Sequence, residues 1–153
     1  MKMSSILAAT LFLAALLPTA NAVCSNATVA GSYGFTTNGV LFAPGPVPVA
    51  AAGLITFDLK GDVDGNQNRS VGGAFLHETF QGTYTISNDC ALQFTVNVYD
   101  DAGTLLRTSV VDGVVVDNGK QVKAMFESIT LPNGAMLGSA LTADAVRVQG
   151  HEK

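Results

Sequence analysis

The chain has 153 residues, 13% of them charged, with a formal net charge of −4, two cysteines and no tryptophan. That length suits one domain. The scattered, mildly acidic charge excludes nucleic acid as a partner, because phosphate binding needs a basic patch, and the composition excludes coiled coil, collagen and extensive disorder.

The first element in chain order is an export signal over 1–22. Lys2 gives the positive start, Ile6 to Leu17 is an apolar run interrupted by Thr10, and Ala20-Asn21-Ala22 after Pro18 matches the small-x-small cleavage pattern. The apolar run is far shorter than the roughly 20 residues that span a bilayer. Cleavage before Val23 is expected. It leaves a single domain over 23–153 with seven bases against twelve acids. That domain is expected to be secreted or periplasmic, with no membrane partner once the signal is removed.

Export brings Cys24 and Cys90 into oxidising conditions, and they are the only pair in the chain. No C-x-x-C spacing or clustered histidine favours redox or metal chemistry instead. A disulfide between them would tie the new N-terminus to the middle of the domain, worth roughly 4 kcal/mol on the chain-entropy model. Two sequons, Asn26-Ala27-Thr28 and Asn68-Arg69-Ser70, matter only in a eukaryotic secretory pathway.

Beyond Cys24 the dominant pattern is period-two alternation cut by glycine-rich turns. The spacing predicts strands near 31–41, 52–59, 70–80, 82–88, 91–99, 104–116, 121–130 and 137–148. The cleanest is Leu92, Phe94, Val96 and Val98 against Gln93, Thr95, Asn97 and Tyr99. Ile55, Phe57 and Leu59 alternate in the same way, as do Val122, Ala124 and Phe126. Turns are expected at Gly61 to Gly65, Asp101-Ala102-Gly103, Asp117 to Lys120 and Pro132-Asn133-Gly134. Ala43 to Ala52, carrying Pro44, Pro46 and Pro48, reads as an extended loop rather than a central strand. Helix is scarce, since no later stretch shows three turns of apolar i, i+3, i+4, i+7 spacing.

Eight short strands and tight hairpins predict an all-β fold, a single antiparallel eight-stranded up-and-down β-barrel, with a β-sandwich as the alternative. Closure removes both exposed sheet edges. A barrel of this strand number is either filled by side chains or holds one small ligand.

Gly31-Ser32-Tyr33-Gly34-Phe35 and Gly82-Thr83-Tyr84-Thr85-Ile86 echo each other along the chain. The glycine lets the strand bend at a barrel rim, and the tyrosine packs across it with its hydroxyl near water. With Gly53-Leu54-Ile55-Thr56-Phe57-Asp58 and the Asp89-Cys90 pair, this order over 24–90 resembles a group of small exported bacterial proteins of unknown role. The resemblance implies a calycin-like or allene-oxide-cyclase-like barrel. The first of these architectures is used mostly to carry apolar ligands, and the second also hosts cyclases.

Three groups of residues carry candidate chemistry. Asp58, Asp62, Asp64, Asn66 and Asn68 crowd one hairpin. They read as turn formers, with Ca²⁺ binding as the alternative, although an EF-hand would need Gly where Gln67 stands and Glu where Gly73 stands. His77 and Glu78 point to opposite faces of their strand, so one of them faces the lumen. Leu141, Ala143, Ala145 and Arg147 share a face of the last strand, from which Arg147 could reach a ligand carboxylate or a buried acid such as Glu78 or Glu127. The candidate ligand-binding residues are therefore Tyr33, Tyr84, His77 and Arg147. No catalytic residue, metal ligand or cofactor is expected, because hydrolase motifs, phosphate loops and multi-histidine sites are missing.

The first functional expectation is a non-enzymatic exported barrel that binds a small apolar ligand or a protein partner. The rivals are a small barrel enzyme of cyclase or isomerase type, and a solid-core interaction protein that binds through Ala43 to Ala52. Lumen volume separates them.

Overall fold

Inward–outward alternation, interrupted by a few register shifts, lets the chain close on itself. The computed structural model describes residues 23–148, so the expected signal at 1–22 lies outside the described residues, as does the tail beyond Val148. Eight antiparallel strands run β1 (Gly31–Phe42), β2 (Pro46–Phe57), β3 (Asp62–Val71), β4 (Ala74–Ile86), β5 (Ala91–Tyr99), β6 (Leu105–Val116), β7 (Gln121–Thr130) and β8 (Met136–Arg147). Each pairs with its sequence neighbour, and β8 pairs back onto β1, so the sheet is a closed up-and-down barrel with no free edge. Among the described residues the only other regular elements are the helical turn α1 (Asn26–Val29) and a single 3₁₀ turn at Asp117–Gly119.

The first, fifth and seventh strands lie close to their predicted spans. Three other segments depart from expectation. The strands expected at 70–80 and 82–88 are the one strand β4, which begins after a turn at 72–73. Pro46 to Ala52, expected as loop, is the first half of β2, with Pro46 opposite Phe42 and Pro48 opposite Val40. The prolines are tolerated for a local reason. The Pro48 carbonyl accepts the Gly72 N–H at 2.9 Å, so its own nitrogen faces the β3 side, and β2 pairs with β3 only from Val49 onward. The missing N–H therefore removes no ladder bond. The acidic hairpin is also displaced. Asp62 to Val71 is strand rather than turn, and the true turn is 58–61, where Asp58 Oδ1 accepts the N–H groups of Lys60, Gly61 and Asp62. Those bonds hold the Asp58 carboxyl below its usual range.

The strand directions give the barrel two different ends. One end holds the start of β1, the 58–61, 87–90 and 117–120 turns and α1. The other holds the turns 43–45, 72–73, 100–104 and 131–135. Near the first end the core is aromatic. Phe57 receives Tyr33, Tyr84 and Phe94 edge-on at centroid distances of 5.8, 5.1 and 5.8 Å, each worth about 0.5–1.5 kcal/mol beyond area burial. A second apolar cluster of Leu41, Val49, Ile129 and Leu141 serves the opposite half.

Candidate functional site

The helical-turn end is sealed. Cys24 and Cys90 form the disulfide, with a Cα–Cα distance of 5.1 Å, and pin the segment that carries α1 onto the 87–90 turn. Tyr33 is fully buried, and its hydroxyl lies 2.6 Å from the Gly119 carbonyl and 3.0 Å from that of Val29. Arg147 stacks over the Tyr33 ring at 4.8 Å. It donates to the carbonyls of Gly119, Ala30 and Thr28 at 2.9, 2.6 and 2.9 Å, and to the Tyr33 hydroxyl. Burial raises the Tyr33 pKa, with Arg147 opposing it. The Tyr84 hydroxyl donates to the Asp58 carbonyl.

Three of the four sequence-predicted ligand residues thus serve this seal. The two tyrosine hydroxyls meet backbone carbonyls instead of water, and Arg147 meets three carbonyls instead of a carboxylate. Glu78 is not its partner. His77, the fourth, points outward from β4 and faces Asp101 at 2.5 Å. The structure does not bring these four residues together around one space. Asp62, Asp64, Asn66 and Asn68 lie exposed along the outer side of β3, and the described residues contain no group of three or more His, Cys, Asp or Glu side chains placed to hold a metal ion.

The lumen is nearly full. Phe35, Phe57, Phe80, Phe94, Val96 and Val111 are among the side chains that reduce it to a cavity of about 60 Å³. That space suits ordered water rather than an organic ligand, whose pockets run from about 300 Å³. Ser109 is 1% exposed on its wall, and its hydroxyl has no partner among the described residues.

Above the lumen lies a buried ionic cluster. Glu78 faces inward and is completely buried. Arg107 meets it with both terminal nitrogens, Nη1 to Oε1 and Nη2 to Oε2, each at 2.8 Å. Arg69 Nη2 lies 2.8 Å from Oε1, and Gln67 Nε2 donates to Oε2 at 2.6 Å. Inward parity on β3, β4 and β6 delivers all four side chains to one level, and a register shift at Val98/Tyr99 lies directly beyond the Val98–Arg107 pair. Such shifts re-aim neighbouring side chains. Burial pushes the Glu78 carboxyl upward, but the hydrogen bonds and charge of Arg107, joined by Arg69 and Gln67, outweigh it and leave the pKa below the ordinary range. Burial lowers the Arg69 pKa, and the Arg107 charge adds to that.

The cluster divides the interior. Gln67 and Arg107 border the lumen below, while Arg69 and Arg107 border a bowl of about 280 Å³ at the opposite end of the barrel. The rest of the bowl wall is apolar and includes Leu41, Val71, Leu76, Ile129 and Leu137. Leu76, on that wall, is 42% exposed. A shallow groove of about 290 Å³ on the outer wall, over Asp64, Gly65, Gln81 and Tyr99, contains no buried charged group.

The chain matches no family model and no curated protein. Among solved structures it is similar to EF1p2_mFAP2b bound to DFHBI, with a TM-score of 0.53 and 12% identity, over 81% of this chain and 97% of that one. At that identity the likeness concerns the β-barrel fold.

Arg69, Gln67 and Arg107 were not legible as site residues. The one available signal was parity, since Gln67 and Arg69 fall in step with Val63 and Val71, and Arg107 in step with Ser109 and Val111.

Proposed function

We propose that this protein binds a small molecule in the bowl at its open end, as a non-enzymatic barrel carrier or receptor. The carrying observation is the bowl itself, an apolar cavity of about 280 Å³ with two arginines at its base, on a barrel whose other end is stitched shut. Small-molecule sites have this anatomy, a mostly hydrophobic wall with a few convergent polar groups. The nearly filled lumen argues against a ligand carried deep inside, and the bowl takes its place. The structure of EF1p2_mFAP2b with DFHBI supports the reading that a barrel of this kind accommodates a small molecule. The reading extends to an exported protein, supported by the disulfide and by the apolar start of the chain.

Titration with Nile red, a neutral apolar dye, tests this. Saturable fluorescence enhancement is expected, and Leu137→Arg, which fills the bowl from its wall, should abolish it without changing the circular dichroism spectrum. Absence of saturable binding, or equal binding by Leu137→Arg, overturns the reading.

A further inference from the structure

We infer that the occupant of the bowl is an amphipathic monoanion, a carboxylate with a short apolar tail, seated head-down on Arg69. This rests on the bowl being the binding site and adds the chemical class of the ligand and its orientation.

The argument starts from an imbalance. A carboxylate offers about four lone-pair directions, and Glu78 already receives two nitrogens of Arg107, one of Arg69 and one of Gln67. It can accept no more. Two guanidinium groups nevertheless face this single carboxylate, so the cluster carries one positive charge in excess. The Arg69 side chain is only 14% exposed, and its Nε–H is buried without a partner among the described residues. A buried charge without its counterpart is costly, as is a buried unmatched donor. Arg147, by contrast, has Nε and both terminal nitrogens matched to acceptors.

One added negative charge beside Arg69 would correct the charge imbalance. Guanidinium recognises carboxylate through paired, charge-assisted hydrogen bonds. A dianionic head would overshoot, and a cation would worsen the excess. The remaining geometry sets the tail. The aliphatic wall continues upward from the arginines to solvent at Leu76, which is 42% exposed. A head-down ligand therefore lays its methylenes along leucine, valine and isoleucine, whose removal from water favours binding.

Calorimetric titration with octanoate, octanol and octylamine at neutral pH separates the possibilities. Octanoate should bind at least about tenfold more tightly than octanol, as expected for a hydrogen-bonded charge pair, and octylamine should not bind. Arg69→Met should bring octanoate down to the affinity of octanol and leave octanol unchanged. If Arg69→Met does not fold, Leu76→Asp at the exposed rim takes its place, and it should weaken octanoate more than octanol. Equal binding of octanoate and octanol by the unaltered protein, or equal loss of both in the variant, overturns the anion assignment while the bowl stands. If neither ligand binds and Nile red also fails, the bowl falls, and the anion assignment falls with it.

Discussion

The two ends of this barrel use arginine in opposite ways. At the sealed end Arg147 donates to three backbone carbonyls and a tyrosine hydroxyl, and it lines neither the lumen nor the bowl. At the open end Arg69 shares a carboxylate with Arg107, keeps a buried unmatched Nε–H and faces about 280 Å³ of space. A side chain whose donors are all matched contributes to stability. One with a donor left over beside a cavity is a place where a ligand can gain affinity. Residue type and inward placement do not distinguish the two cases, whereas a tally of acceptors does.

The largest expected effect falls on the carboxylate between the open-end arginines. Glu78→Leu leaves two guanidinium groups buried without their counter-charge and should cost about 3–5 kcal/mol in urea denaturation. The pH dependence sharpens this. The folded pKa of Glu78 lies below its unfolded value, so its contribution is fully present above the unfolded value of about 4.3 and fades as pH falls through the folded one. The gap between the two proteins should therefore narrow as pH is lowered below about 4. A gap that stays constant down to pH 2, or about that, would remove the charge explanation.

Next comes the seal. Replacing Cys24 and Cys90 together by serine should cost about 2–4 kcal/mol by relaxing the unfolded chain and freeing α1. Nile red affinity should be unchanged at temperatures where the variant is folded. A loss of dye binding by the folded variant would mean that the two ends are coupled.

The finest comparison applies one substitution to both ends. Arg147→Met should cost about 2–3 kcal/mol, because it strands several carbonyls around the Tyr33 hydroxyl. Arg69→Met should change stability by less than about 1 kcal/mol, since removing a surplus buried charge is close to neutral. Thermal or urea melts of the two variants read this directly. Equal losses would erase the distinction between the ends.

Much of this architecture is legible in the sequence. Alternation from Leu92 to Val98 and the glycine-rich turns point to short hairpins, and hairpins of even spacing point to closure. The cysteine pair is settled by its being the only one. β2 was hidden because proline normally excludes a paired strand, and only the side to which Pro46 and Pro48 turn their nitrogens removes that objection. β3 was hidden because Asp62, Asp64, Asn66 and Asn68 look like a turn when their neighbours across the sheet are unknown. The ionic cluster was hidden for a different reason. Arg69, Glu78 and Arg107 come from three strands, and Val110, Val111, Val114, Val115 and Val116 put apolar residues at both parities of β6, so alternation alone does not say which way Arg107 points. The Gly-x-Tyr repeat did mark matching positions, since Tyr33 and Tyr84 both pack on Phe57. Both hydroxyls meet backbone carbonyls at the disulfide-bonded end.

Backbone amide chemical-shift mapping during an octanoate titration tests the division of labour most directly. Shifts should concentrate at Leu41, Arg69, Val71, Ile129 and Leu137, with Val29, Tyr33, Gly119 and Arg147 unmoved. Shifts centred on the disulfide-bonded end, or spread along the lumen past Phe57 and Phe94, would contradict an open-end site above a filled barrel.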